Sequence, residues 1–211
     1  MARLAHLMLL VSVLVWSPAW AGSPERTSYW RERVSLFKAI THHADVVMIG
    51  DSLTDGGEWR ERFPEQNIAN RGIDSDTTDG VLARLDDIVA ARPQLAFVMI
   101  GINDFADAHR TVAAVWANYQ QIVLSTVTCN EAKGAWKSCA SFNSQIRRLN
   151  IRLATLASPS VTVIDLWPAF VTRGNLRSDF TLDGVHLNGD GYRQWKNAIA
   201  PFMPISAPPV R

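Results

Sequence analysis

Ser52 follows a run of apolar residues and a glycine in VVMIGDSLTDGG (46–57), and Asp183 and His186 share the segment LDGVHLNGDGY (182–192). A serine hydroxyl is a poor nucleophile until a base takes its proton. An imidazole titrates near neutrality and can be that base. A carboxylate three residues away, around a tight turn, can hold the ring's tautomer and stabilise the imidazolium. Attack on an acyl carbon then places a negative charge on the former carbonyl oxygen. Backbone N–H groups of Ser52 and Gly72 and the side-chain amide of Asn103 are candidate donors for that oxyanion, each such donor being worth about 3 kcal/mol of barrier. Glycine at 72 lets the backbone approach closely. Each residue also has an ordinary reading. A serine after Gly-Asp forms turns, as do an isolated asparagine, glycine or aspartate. What separates the two readings is whether the fold brings these residues to one edge.

The elements that must position them alternate. Trp30, Val34, Phe37 and Ile40 recur at helical spacing and predict a helix over 28–43. Val46–Ile49 is a continuous apolar, β-branched run, as expected of a strand covered on both faces. A weak strand signal follows at 67–70. Thr77 or Thr78 can cap a helix whose buried stripe is Val81, Leu82, Leu85, Ile88 and Val89, and Arg92-Pro93 ends it. Leu95–Ile100 is the clearest strand. A helix over 111–121, a strand over 122–127, a cysteine-bracketed loop to 141, a helix marked by Phe142, Ile146, Leu149, Leu153 and Leu156, and a last strand over 161–164 follow. The final helix starts near Asn188 and buries Tyr192, Trp195, Ile199 and Phe202. Strands alternating with helices imply an α/β fold with a parallel sheet and helices on both faces. In such sheets ligands bind beyond the carboxyl ends of the strands. Gly50, Asp51 and Ser52, then Arg71 and Gly72, then Gly101, Asn103 and Asp104, then Asp183 and His186 all fall at that edge.

With these residues in order, the chain resembles the SGNH hydrolases, the GDSL-type esterase and lipase superfamily. GDSL stands at 50–53, the second-block glycine at Gly72 in NRGID, GIND at 101–104 and DGVH at 183–186. The resemblance spans about 45–202. It implies a three-layer α/β/α sandwich with a flavodoxin-like, mostly parallel sheet. It implies a Ser52–His186–Asp183 triad with an oxyanion hole of Ser52, Gly72 and Asn103, without metal or other cofactor, and hydrolysis of acetyl or short-to-medium acyl esters. The G-x-S-x-G elbow of the α/β-hydrolases is absent at Ser52. One departure concerns the segment after Asn103. Relatives are expected to have a longer helix and loop there, whereas Tyr119-Gln120-Gln121 runs almost directly into IVLSTVTC.

Composition narrows the classes further. Lys+Arg is 21 and Asp+Glu is 20, so nothing in the charge favours a nucleic-acid partner. Arg3, the apolar stretch Leu7–Trp16 and Ala19-Trp20-Ala21 read as a secretory signal over 1–21, cut after Ala21, leaving a single catalytic domain over 22–211. The apolar stretch is shorter than the ~20 residues of a spanning helix, so no stable membrane span is expected in the mature chain. The expected location is secreted or periplasmic. Cys129 and Cys139 then favour one disulfide. Their spacing makes no zinc pattern.

The remaining polar residues have simpler roles. Asp51 and Asp104 shape turns. His42 and His43 suit a helix end, and His109 the surface. Asp74, Asp76 and Asp79 read as a solvated loop and helix start, without the ligand spacing of a calcium loop. Trp59 and Trp167 are candidates to line a substrate groove. Two other functions compete with an esterase: a metal-dependent phosphoesterase, for which D-x-H and G-H-x-H segments are missing, and a non-catalytic binding protein on the same fold. Acyl transfer to a sugar hydroxyl uses the same acyl-enzyme as hydrolysis. The expected substrate is a small-molecule, lipid or acetylated-carbohydrate ester.

Overall fold

The apolar run that precedes Ser52 becomes the central strand. Val46–Gly50 (β1) is buried at every residue. It pairs in parallel with Ile68–Gly72 (β2) on one side and Leu95–Met99 (β3) on the other, in the order β2-β1-β3. This computed structural model describes residues 27–40, 43–106, 108–119, 129, 133, 139–158 and 161–204. Parallel neighbours require crossovers. Ser52–Asp55 (α2) and Trp59–Arg62 (α3) lie between β1 and β2, and Thr78–Leu82 (α4) and Leu85–Ala90 (α5) between β2 and β3. Ile102–Ala106 (α6) and Val112–Tyr119 (α7) follow β3.

Successive strand side chains point to opposite faces, and β1 shows what covers each. Val47 and Ile49 pack in one cluster with Val81, Ile88, Val115 and, from Cys139–Leu153 (α8), Ile146, Leu149 and Leu153. Val46 and Met48 pack in the other with Trp59, with Phe170 of Trp167–Phe170 (α9), and with Tyr192, Trp195 and Ile199 of Gly189–Ile199 (α10). A parallel sheet between two helical layers is the α/β/α sandwich the alternation predicts. Ser28–Ala39 (α1) buries Val34 and Phe37 against Ile73 at the end of β2.

Several boundaries differ from the periodicity. Helix α1 stops at Ala39, and Ile40 is exposed; α10 likewise stops at Ile199, before Pro201, and leaves Phe202 exposed rather than buried. The helix expected over 77–92 is two short ones. They part at Ala83 and Arg84, where the backbone leaves helical geometry (Arg84 φ −125) and the Arg84 guanidinium is buried. Val89, assigned to the buried stripe, is 68% exposed, and the second helix buries Asp87 and Ile88 instead. Thr77 caps α4 as expected, its hydroxyl accepting from the Gly80 N–H. Among the described residues the run 161–164 makes only an isolated bridge from Val161 to Ser158, and the strand expected over 122–127 lies outside them. The signal segment, His42, most of the cysteine-bracketed loop and the C-terminal tail lie outside them too.

A hairpin that periodicity does not show connects Val171–Thr172 (β4) to Asn175–Leu176 (β5). Its turn residues Arg173 and Gly174 both have positive φ (52° and 80°), the geometry of a tight hairpin turn. The disulfide Cys129–Cys139 forms with a Cα–Cα distance of 5.8 Å. Asn143 joins the two features. Its side chain accepts from the Cys129 N–H (2.9 Å) and donates to the Cys129 and Gly174 carbonyls (2.8 and 3.0 Å). Among the described residues no helix is long and apolar enough to cross a membrane.

Candidate active site

The Ser52 turn is built by residues that leave it no slack. Asp51 caps α2, its Oδ1 accepting from the Leu53 N–H at 3.1 Å. A Cβ on Gly50 would sit 2.1 Å from Thr54 Oγ1 and 2.2 Å from the Met99 carbonyl, so only glycine lets β1 enter the turn here. Gly72 does the same from β2. A Cβ there would lie 2.1 Å from the Asp55 nitrogen. Asn70 donates to the Asp55 carbonyl (2.8 Å), and the buried Tyr192 hydroxyl donates to the Leu53 carbonyl (2.9 Å). The Ser52 turn is thus tied to β2 and to the last helix.

The second half of the site is a turn made by its own side chains. Asp183 Oδ1 accepts from the Val185 and His186 N–H groups at 2.9 and 2.8 Å. Thr181 accepts from the Gly184 N–H at 2.9 Å, and Gly184 takes a positive φ of 92°. A bridge between Thr181 and Leu187 closes the base. The other Asp183 oxygen, Oδ2, lies 2.6 Å from His186 Nδ1, and His186 Nε2 lies 3.2 Å from Ser52 Oγ. Residues 134 positions apart are therefore within hydrogen-bond reach at the carboxyl end of the sheet. The pair is open to water: the His186 and Asp183 side chains are 53% and 48% exposed. Partial burial opposes ionisation of Asp183. The hydrogen bonds from His186 and from the two backbone N–H groups outweigh it and hold the carboxyl down to about 2.

Asn103 and Gly72 are placed with their N–H groups engaged. Asn103 is buried on α6 and donates one amide hydrogen to the Asp76 carbonyl at 2.9 Å. The Gly72 N–H donates to Asn70 Oδ1 at 2.9 Å. Asp104 accepts from the Thr78 N–H and hydroxyl at 2.9 and 2.6 Å, which joins α6 to the start of α4. Gly101 enters α6 with a positive φ of 121°, a conformation that favours glycine.

Residues 48–194 match the family model for GDSL-like lipases and acylhydrolases, well over half of the chain. The chain belongs to this family. It is a carboxylic ester hydrolase by that membership. It is 28% identical over 166 residues to the alpha1 subunit of platelet-activating factor acetylhydrolase IB from Rattus norvegicus, covering 70% of each chain. Its fold is similar to that of a GDSL-like lipase from Bacteroides thetaiotaomicron, at a TM-score of 0.67 and 19% identity, covering 82% of this chain and 96% of that one. An acetyl-xylooligosaccharide esterase from Geobacillus gives a TM-score of 0.52 at 18% identity, with 77% and 94% covered.

Within this GDSL-like hydrolase, some residues sit elsewhere than the sequence implies. Trp59 lines no groove. It is buried, donates to the Thr54 carbonyl at 2.8 Å and packs edge-on to Trp195 at 4.6 Å, because a large apolar ring behind the Ser52 turn fills the core. Trp167 is half-buried against the core and lines a cavity together with Arg147, Ile151 and Val163. Asp76 is not part of a solvated loop. It is buried beside Arg84 at 2.8 Å and also accepts from the Trp30 indole N–H at 2.9 Å. Arg84 is not among the candidate residues of the sequence, yet its position carries a signal. Arg84 occupies an apolar-stripe position between Val81 and Ile88 at helical spacing. Asp74 is exposed, and Asp79 pairs with Arg110. His43 faces the Ala91 carbonyl and Asp45. Among the described residues no group of three or more His, Cys, Asp or Glu side chains is placed to hold a metal ion.

Proposed function

We propose that this protein is an exported serine esterase that hydrolyses acetyl or other short acyl esters without a metal. The observation that carries the reading is the continuous line from Ser52 Oγ through the His186 ring to the Asp183 carboxylate, at 3.2 and 2.6 Å. With Nδ1–H donated to Asp183, the lone pair of Nε2 faces the Ser52 hydroxyl. Nε2 takes the hydroxyl proton as Oγ bonds to the acyl carbon, and the carbonyl electron pair moves to oxygen. The Ser52 N–H and the second amide hydrogen of Asn103 are the donors for that oxygen, whereas the single Gly72 N–H, expected as a third, is already given to Asn70 Oδ1 at 2.9 Å. When the intermediate collapses, the C–O bond to the alcohol breaks and His186 returns the proton to the leaving oxygen. Water, deprotonated by the same nitrogen, releases the acid and restores Ser52.

The exposure of the His186–Asp183 pair supports water as the second acceptor, since solvent reaches the base directly. Two of the similar proteins are named for acetyl esters, which supports an acetyl group as the acyl part. The acyl-enzyme also allows transfer to a sugar hydroxyl. The segment 1–21 and the disulfide support export, with a single catalytic domain from residue 22 onward.

The test is hydrolysis of p-nitrophenyl acetate by the purified protein, by the same protein after EDTA, and by Ser52→Ala. The expected result is full activity after EDTA and a loss of at least about a thousandfold in the variant. An active Ser52→Ala protein removes the triad, and an EDTA-sensitive wild type removes the metal-free mechanism. Acetylated xylan with and without an added sugar acceptor separates hydrolysis from transfer.

A further inference from the structure

The Asn103 amide is held by a backbone carbonyl, and that carbonyl is itself held from behind. Asp76 supplies it, at 2.9 Å from Asn103 Nδ2. The Asp76 carboxylate is clamped by Arg84, whose Nε and Nη2 approach Oδ2 at 2.9 and 2.8 Å. Trp30 Nε1 and the Thr77 N–H take the other oxygen at 2.9 and 3.0 Å. The same Arg84 Nη2 reaches the Gly50 carbonyl at 3.5 Å, two residues before Ser52. One buried guanidinium therefore touches both the end of β1 and the loop after β2, and through Asp76 it reaches the helix after β3. These three turns carry Ser52, Asp76 and Asn103. Gly80 belongs to the arrangement. A Cβ at that position would lie 1.7 Å from Asp76 Oδ1, so the carboxylate occupies the space of the missing side chain.

Stability alone does not account for the pair. The Arg84 and Asp76 side chains are 0% and 1% exposed. At that depth desolvation offsets most of the attraction, and an apolar pair of similar volume serves stability as well. What an apolar pair lacks is directional hold on a carbonyl and a strand end.

We propose that Arg84 is a positioning residue for the oxyanion hole: through Asp76 it fixes the Asn103 amide so that its second hydrogen points at the developing oxyanion. This rests on the assignment of Asn103 as an oxyanion donor above. An error of a fraction of an ångström in that donor weakens a bond made only in the transition state, so the effect falls on kcat rather than on KM.

The test is a double-mutant cycle of Arg84→Lys with Asn103→Ala, read by kcat, KM and Tm on p-nitrophenyl acetate. Lysine keeps the charge and loses the fork that grips Asp76. Asn103→Ala alone is expected to lower kcat about a hundredfold. Arg84→Lys alone is expected to lower kcat about tenfold with KM within about twofold, and to lower it less than about twofold further in the Asn103→Ala background. The Tm loss from Arg84→Lys is expected to be equal in both backgrounds. An equal kcat loss in both backgrounds, or no loss in the single variant, overturns the proposal while leaving the serine-esterase reading intact. A silent Asn103→Ala overturns the oxyanion assignment and this inference with it. Should Arg84→Lys fail to fold, Trp30→Phe, which removes one donor to Asp76 from a half-buried ring, takes its place in the cycle with an expected loss of about threefold and the same criteria.

Discussion

Replacing Asp183 by asparagine separates the two jobs that this carboxylate does. Oδ1 accepts the Val185 and His186 N–H groups and so makes the turn. Oδ2 faces His186 Nδ1 at 2.6 Å and orients the ring. An asparagine can keep its oxygen on the two backbone donors, which leaves its NH₂ group facing Nδ1. Two donors cannot share that contact, so the ring turns over its tautomer and presents Nε2–H to Ser52. A hydroxyl facing an N–H has no base. The imidazolium also loses its counter-charge. In a buried triad such a change costs on the order of 10⁴ in kcat. Here the two side chains are 48% and 53% exposed, so water screens the charge and can solvate the imidazolium. The expected loss is therefore smaller, about 10²- to 10³-fold in kcat, with KM within about twofold and Tm within about 3 °C of wild type. Asp183→Ala serves as the contrast: it removes the turn bonds as well and is expected to lower Tm further. The assay is kcat and KM for p-nitrophenyl acetate from pH 5 to 9, with melting followed by circular dichroism. A kcat for Asp183→Asn within threefold of wild type would refute both the tautomer argument and the triad.

Two further outcomes follow from groups around the site. Burial, with the nearby Asp76 and Asp104 charges adding to it and the Leu53 N–H opposing it, pushes the Asp51 carboxyl up to about 8. The unfolded value is about 4, so between these limits the folded state holds a proton that the unfolded state has lost, and stability falls as pH rises, by at most about 1.4 kcal/mol per pH unit. Asp51→Asn keeps the cap acceptor and cannot ionise. Its Tm relative to wild type is expected to rise from pH 5 to pH 8.5, and a pH-independent difference refutes a neutral buried Asp51. The Cys129–Cys139 bridge closes a short loop, with a sequence separation of 10. Paired serine substitutions are expected to cost roughly 2–3 kcal/mol and to lower Tm by about 4–10 °C. A thermal melt with no shift shows that the loop is held without the bridge.

What could be read from the residues was local or periodic. The apolar runs at 46–49 and 95–100 announced buried strands, and the GDSL, GIND and DGVH blocks named the side chains that now stand together at one sheet edge. The cap from Thr77 and the pairing of the two cysteines were legible for the same reason, since each depends on near neighbours in the chain. The hairpin at 171–176 was missed because two-residue strands carry no period. The helix break at Arg84 was missed because propensity does not record that a charged side chain has an inward partner. The fate of Trp59 and Asp76 was a matter of long-range packing. By itself the sequence determined the order of elements, the covering of both sheet faces and the chemistry available at the carboxyl edge, because those follow from hydrophobic period and residue type. Only the tertiary structure decided that His186 reaches Ser52, that Asp76 is buried against Arg84 and that Asn103 leans on the Asp76 carbonyl. Those contacts join residues from different crossovers, and their distances depend on how the layers pack, which no local stretch of chain encodes.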